Sequence, residues 1–337
     1  VRAAVLRAAG DVVVEERPTP SPGPGQVLVR VRSVGVCGSD THYYEHGRIG
    51  RFIVESPLVL GHEAAGEVVE LGEGVTGLVP GQRVSVEPGV PDLTCEQCLA
   101  GRYNLCPQMR FYATPPIDGA FAEYVLTHAA FAHPVPDGIS DDAAALLEPL
   151  SVAVWACRKG RVSAGSRVLV TGAGPIGLLA VQTAIAFGAT EVAVSDVNPA
   201  RLALAGDMGA TELVDARSAS VLDLPRAPGV LLECSGYPPA ISEGIRALAP
   251  AGRAVLVGMG GDEVPLPLSV VQERELEVTG TFRYAGTWPT AIALVAAGRV
   301  DLDRLVTGSY PLERAADALT AGRRDQHSVK VVVRPQT

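Results

Sequence analysis

The sequence predicts an α/β protein in two parts, a barrel-like all-β domain and a doubly wound parallel sheet, and three observations carry that prediction. The first 150 residues are rich in glycine, proline and short β-branched runs. From about Val162 strands and helices alternate with few prolines, which is the βαβ rhythm of a parallel sheet. A glycine-rich turn stands at the first strand-to-helix junction of that second stretch. At 337 residues the chain has room for about two domains, and 47% hydrophobic residues supply their cores.

The elements follow in order. Val27-Leu28-Val29-Arg30-Val31 and Gly66-Glu67-Val68-Val69-Glu70-Leu71 read as short strands of the first domain. Ahead of them, Pro18-Thr19-Pro20-Ser21-Pro22-Gly23-Pro24-Gly25 sustains neither helix nor central strand, so it is a loop between strands. In the second part Val168-Leu169-Val170 is a continuous apolar strand suited to burial on both faces. The helix after it, from Ile176 to Phe187, repeats apolar residues at helical spacing through Ile176, Leu179, Ala180, Ala184 and Phe187. A strand from Val192 to Ser195, a helix from Pro199 to Met208, and strands at Val230 to Cys234 and Arg253 to Gly258 continue the rhythm. Beyond about Phe282 come helices at Thr290 to Ala297 and Leu312 to Ala321, then a last strand from Ser328 to Val333.

Charge and composition narrow the function classes. A formal charge of −9 argues against polyanionic partners, since nucleic acid or an anionic membrane needs a basic surface. No apolar run approaches the roughly 18 residues that span a bilayer, and Val1 to Glu16 lacks the layout of a signal peptide, so the expected compartment is the cytoplasm. Three of the six cysteines crowd into Cys95-Glu96-Gln97-Cys98 and Cys106, a pattern that in a reducing compartment favours metal over disulfides.

Two constellations carry chemistry. Cys37, in Cys37-Gly38-Ser39-Asp40-Thr41-His42, is followed twenty-five residues later by His62 in Gly61-His62-Glu63, and Glu148 precedes a proline further on. Thiolate, imidazole and carboxylate are the ligands zinc favours, and a catalytic zinc takes about three of them. The second is Gly172-Ala173-Gly174-Pro175-Ile176-Gly177. There the first glycine makes the turn, the second admits a pyrophosphate to the backbone, and the third lets helix and strand pack. Asp196, nineteen residues after Gly177 at the end of the next strand, is placed to accept hydrogen bonds from an adenosine ribose and to repel a ribose phosphate. That favours NAD over NADP, with Arg201 as the residue that would argue the other way.

With both constellations in place, the chain resembles the zinc-dependent medium-chain dehydrogenases, and within them the polyol dehydrogenases acting on sorbitol, xylitol and arabinitol. The generic marks are Cys37-Gly38-Ser39-Asp40, Gly61-His62-Glu63 and the glycine turn. The more specific marks are Tyr43-Tyr44-Glu45-His46-Gly47-Arg48-Ile49-Gly50, Ala113-Thr114-Pro115-Pro116, Glu148-Pro149-Leu150-Ser151-Val152 and Phe282-Arg283-Tyr284. The resemblance implies a GroES-like catalytic domain over residues 1–150 and 285–337, an inserted Rossmann domain over 151–284, and an active site in the cleft between them.

It also implies roles. Catalytic zinc would be held by Cys37, His62 and a glutamate, Glu63 or Glu148, the latter directly or through water. Asp40 would orient a metal-bound histidine from behind. Ser39 would take the hydroxyl proton and pass it through the cofactor ribose to His42, unless a water on Glu148 carries it. Tyr43, Glu148, Arg283 and Tyr284 would contact the polyol. Cofactor contacts would come from Gly172, Gly174, Pro175, Ile176, Gly177, Asp196, Arg201, Val257, Gly258, Met259, Thr281, Phe282 and Arg283.

Cys95, Cys98 and Cys106 match a structural-zinc lobe that usually carries four cysteines, and Asp92 stands at the first position, so one aspartate and three thiolates would form the site. The expected activity is NAD-dependent interconversion of a polyol and a ketose by a homo-oligomer, a tetramer or dimer, with neither nucleic acid nor membrane as partner. Another secondary alcohol, such as a hydroxy amino acid, is the alternative substrate. A non-catalytic nucleotide binder of the same fold would have no use for an open metal site.

Overall fold

A computed structural model describes residues 1–337 and divides them into two compact units, Val1–Glu148 with Asp301–Thr337, and Pro149–Val300. The first unit opens with strands β1 (Arg2–Ala8), β2 (Asp11–Glu16) and β3 (Gln26–Gly35), followed by helix α1 (Gly38–His46). It continues through β4 (Leu58–Val59), β5 (Glu63–Leu71), β6 (Arg83–Val86), β7 (Tyr124–His128) and β8 (Ala132–Pro134). Helix α2 (Leu147–Gly160) leads to the second unit, with β9 (Arg167–Thr171), α3 (Pro175–Ala186), β10 (Glu191–Asp196), α4 (Pro199–Asp207), β11 (Glu212–Asp215) and β12 (Val230–Glu233). After these come α5 (Pro238–Ala247), β13 (Arg253–Leu256), β14 (Glu277–Gly280) and α6 (Trp288–Ala296). The chain then returns to the first unit with β15 (Val306–Pro311), α7 (Ala315–Arg324) and β16 (Lys330–Arg334).

In the first unit the main sheet runs β8-β6-β5-β3-β16-β15, with β7 also paired to β3. The long β3 anchors it, because Val27, Val29, Val31 and Val34 are fully buried. Its antiparallel register with β5 sets Gly35 opposite Glu63, and its pairing with β16 sets Gly35 opposite Val332. Three segments distant in sequence therefore end at one place, just ahead of Cys37. Residues 18–23 form no regular element, in line with the proline content there.

The second unit is a six-stranded parallel sheet in the order β11-β10-β9-β12-β13-β14. Val168, Leu169, Val170, Leu231, Leu232, Ala254 and Val255 have at most 1% of their surface exposed, as expected of strands covered on both faces. The order reverses between β9 and β12, and in open sheets of this kind ligands sit outside the carboxyl ends of the strands at that reversal. Residues 285–300, expected in the first domain, lie instead in the second unit. Trp288 is fully buried and meets the Tyr284 ring edge-on at 5.2 Å. Arg158 of α2 donates to the Gly286 carbonyl at 2.9 Å and to Thr290 Oγ1 at 2.7 Å, which holds the start of α6 to this unit. No helix is long and apolar enough to cross a membrane.

Candidate metal centre and cofactor turn

Cys37 is the N-cap of α1 and Asp40 is its third residue, whose carboxylate turns back to accept the Cys37 N–H at 2.9 Å. The other Asp40 oxygen accepts the Gly61 N–H at 2.9 Å, so one buried carboxylate fixes the backbone on both sides of the site. Gly61 has φ +85°, and a Cβ there would run into the Phe121 ring. Only glycine fits this turn, which delivers His62 and Glu63 at the start of β5. His62 Nδ1 lies 3.7 Å from Asp40 Oδ1, so the carboxylate expected to orient the histidine stands beside it. Burial disfavours charge on both groups. The mutual attraction outweighs it, holding Asp40 below the usual carboxylate range and His62, with Cys37 also nearby, well above the usual imidazole range.

Cys37, His62 and Glu63 each place one ligand atom so that all lie within 4.8 Å of one another. Glu63 is 1% exposed, and Lys330 Nζ, at the start of β16, donates to its Oε1 at 2.5 Å and to the Val36 carbonyl at 2.8 Å. Its other oxygen, Oε2, is buried with no hydrogen-bond partner. An acceptor-only oxygen left bare in an apolar site costs about 1–3 kcal/mol or more. Beside a thiol and an imidazole, a divalent cation satisfies it, so the donor set fits zinc. Gly35 leaves the room, because a Cβ there would overlap Glu63 Oε2. Burial pulls the Lys330 ammonium down, but Glu63, Cys37 and Glu148 outweigh it and hold it above the usual range.

Of the alternatives open in sequence, Glu63 belongs to this group of three and Glu148 does not. Glu148 is buried in the first turn of α2. Ser39 and His42 sit three residues apart on α1, one turn from each other, Ser39 half-buried and His42 exposed. Tyr43 is buried within the first unit's core.

A second cluster gathers Asp92, Cys95, Cys98 and Cys106, again with ligand atoms within 4.8 Å. Asp92 Oδ1 accepts the Thr94 and Cys95 N–H groups at 2.8 and 2.9 Å, and Cys98 N–H points at Cys95 Sγ. The backbone donors of Cys95 and Thr94 hold the Asp92 carboxyl down to about 2. Burial and the neighbouring Cys95 and Cys106 thiols push Cys98 up to about 12. An aspartate oxygen among three sulfurs suits tetrahedral zinc. Cys157 and Cys234 lie apart from both clusters, and burial raises both thiols.

In the second unit the turn after β9 is closely packed at its first and third glycines. Gly172 has φ +86° and packs where a Cβ would strike the Ser235 backbone, and a Cβ on Gly177 would overlap the Gly172 carbonyl. Gly174 caps α3, and a Cβ on it would touch no protein atom. Asp196 ends β10 with Oδ2 accepting the Ala173 N–H at 2.6 Å and Oδ1 the Asn198 N–H at 2.7 Å, locked against the turn. Arg201 is half-buried with its Nε unpartnered. On the other side of the reversal, Val257 and Gly258 donate to the Glu233 carbonyl, and Met259 is 57% exposed. Thr281 donates to Leu256, and Arg283, at φ +55°, stacks its guanidinium 4.8 Å from the exposed Phe282 ring. Tyr284 is buried against Trp288. Sequence reasoning missed Lys330, the partner of Glu63. The signal for Lys330 was a charge inside an apolar strand, in a chain with only one other lysine, Lys159.

Residues 23–137 match the alcohol dehydrogenase GroES-like domain and residues 175–297 the zinc-binding dehydrogenase domain. The sorbitol dehydrogenase of Gallus gallus is 43% identical over 340 residues, covering 98% of this chain and 96% of that protein. The crystal structure of L-idonate 5-dehydrogenase from Escherichia coli superposes with TM-score 0.93 at 30% identity, covering 99% of this chain and 97% of that one. An alcohol dehydrogenase from Escherichia coli CFT073 complexed with NADH superposes with TM-score 0.93 at 28% identity, covering 99% and 98%.

Proposed function

The chain belongs to the zinc-dependent medium-chain dehydrogenase family, and from that premise we propose that it oxidises a secondary hydroxyl of a polyol with NAD, giving a ketose, NADH and a proton, reversibly. The observation that carries this reading is the bare, buried Oε2 of Glu63 beside Cys37 and His62, in a chain 43% identical to a sorbitol dehydrogenase. These three residues hold the catalytic zinc. Bound zinc supplies the Lewis acidity that makes a hydroxyl acidic near neutral pH, and NAD takes the hydride.

The chain's own residues do the rest. Asp40 pins the Cys37 and Gly61 backbone, and Lys330 holds Glu63 in one orientation. Ser39 accepts the hydroxyl proton and His42, exposed, releases it to solvent, with Glu148 as the other route through a water. Tyr43, Glu148, Arg283 and Tyr284 supply the donors and acceptors a row of hydroxyls needs. Gly172, Gly174, Pro175, Ile176 and Gly177 cradle the pyrophosphate, Asp196 and Arg201 take the adenosine ribose, and Val257 to Met259 and Thr281 to Arg283 take the nicotinamide half. Asp92, Cys95, Cys98 and Cys106 hold a structural zinc. A cytoplasmic homo-oligomer, dimer or tetramer, completes the reading.

The test is NADH formation across sorbitol, xylitol, arabinitol, galactitol, threonine and simple secondary alcohols. Turnover on at least one polyol above the others is expected. Turnover confined to threonine or simple alcohols would replace the substrate class.

A further inference from the structure

Glu233 closes β12 at the reversal point of the sheet and is fully buried. Its Oε1 accepts hydrogen bonds from the Thr171 hydroxyl at 3.2 Å, the Ser235 N–H at 2.9 Å and the Ser235 hydroxyl. The Gly236 N–H reaches both oxygens, at 3.1 and 3.2 Å. Every partner is a donor, and none is a lysine, arginine or histidine, which is what an ionised carboxylate held by dipoles alone requires. A buried charge without a counter-ion is costly, so a site that keeps one has a use for it or a partner that arrives later.

The same residue ties together the three loops that leave the carboxyl edge. Its carbonyl accepts the Val257 and Gly258 N–H groups, and Cys234 N–H reaches back to the Thr171 carbonyl. The loops touch backbone to backbone: a Cβ on Gly172 would strike Ser235, one on Gly236 would strike the Met259 carbonyl, and one on Gly258 would strike the Gly236 nitrogen. Thr171, Glu233 and Leu256 thus end in one interlocked surface with the carboxylate beneath it. Asp196 ends β10 on the far side of β9, so a dinucleotide with its adenosine ribose there extends its nicotinamide half to the β12 side.

We propose that Glu233 is a positioning residue whose fixed negative charge makes the site favour the oxidised, cationic nicotinamide over the neutral reduced ring. This rests on the reading that the second unit binds NAD. The oxidised ring carries one positive charge and the reduced ring none, so a nearby buried anion lowers the energy of the first and leaves the second nearly untouched. The effect assists hydroxyl oxidation at the binding step by loading NAD and releasing NADH. ADP-ribose, which has no ring, should not sense the charge.

The experiment uses the zinc-loaded full-length protein. NADH is titrated by its fluorescence, and NAD and ADP-ribose compete it off, for wild type and Glu233→Gln. The variant is expected to lower the preference for NAD over NADH by roughly threefold or more while ADP-ribose binds within about twofold of wild type. A preference that stays put, or a parallel loss for all three ligands, overturns the proposal and leaves Glu233 a structural residue. Thr171→Val keeps the charge and removes one of its donors, so it decides the matter if the first variant does not fold. The preference must then hold or move toward NAD, and a fall overturns the proposal. Wild-type protein that binds neither NADH nor ADP-ribose overturns the cofactor reading and the proposal with it, whereas wild-type binding with an unmoved preference in Glu233→Gln overturns the proposal alone.

Discussion

Replacing Lys330 by Met tests how the metal centre is held before metal arrives. The substitution keeps the length of the side chain and removes the ammonium, leaving Glu63 at 1% exposure with neither oxygen paired to a cation. Breaking one side of a buried ion pair costs about 3–5 kcal/mol, because the remaining charge keeps its full desolvation penalty. For a chain of this size that corresponds to a fall in melting temperature of roughly 4–7 °C. Zinc bound through Glu63 Oε2 would neutralise the orphan, so the deficit should shrink when zinc is present. Adding Glu63→Gln to Lys330→Met removes the charge as well and should recover most of the loss. Thermal melts of chelator-stripped and zinc-loaded samples of wild type, the single and the double variant read this directly. A stripped Lys330→Met protein melting within about 1 °C of stripped wild type would refute the reasoning.

Two further outcomes follow from the site geometry. In the cysteine lobe, Cys98 is pushed up to about 12 and Asp92 held down to about 2, so at neutral pH the unliganded lobe carries an ionised carboxylate and a protonated Cys98 thiol. Zinc must displace that proton, so its affinity should rise with pH by roughly tenfold per unit for each thiol proton released; zinc titration of Cys37→Ser between about pH 6 and 8 reads it, and a flat profile would contradict it. At the cofactor turn, Asp196→Ser removes the carboxylate that faces a ribose phosphate while keeping a hydroxyl near Ala173. The ratio of kcat/KM for NAD over NADP should fall by about 10- to 100-fold, and an unchanged ratio would place cofactor choice elsewhere.

What could be seen in sequence tracks how much of each element's behaviour is its own. Strands β9, β10, β12 and β13 are buried on both faces and announce themselves as apolar runs, as does β3 with its alternating valines. Strands β11 and β14 at the two edges of the parallel sheet are mostly exposed or half-buried, and only pairing with β10 and β13 makes them strands. Helix α6 looked like part of the returning domain because nothing local reveals that Trp288 packs beside Tyr284. At the site, Cys37, His62 and the glycine turn were legible because each stands in a short motif of its own, Cys37-Gly38-Ser39-Asp40, Gly61-His62-Glu63 and Gly172 to Gly177. That Glu63 rather than Glu148 gathers with Cys37 and His62 was not, since it rests on where β5 places its first side chain against Gly35. Lys330 was invisible as a partner because 267 residues separate it from Glu63, and Glu233 because two of its four donors are backbone N–H groups and a third, the Thr171 hydroxyl, lies 62 residues away.

The most direct test of the zinc centre is a metal titration of turnover. Protein stripped by a chelator should lose NADH formation with its preferred polyol and regain it as zinc is added back. Cys37→Ser, His62→Ala and Glu63→Ala should each stay inactive across the same titration. Full activity in the stripped wild type, or zinc-restored activity in Cys37→Ser equal to wild type, would contradict a catalytic zinc held by Cys37, His62 and Glu63.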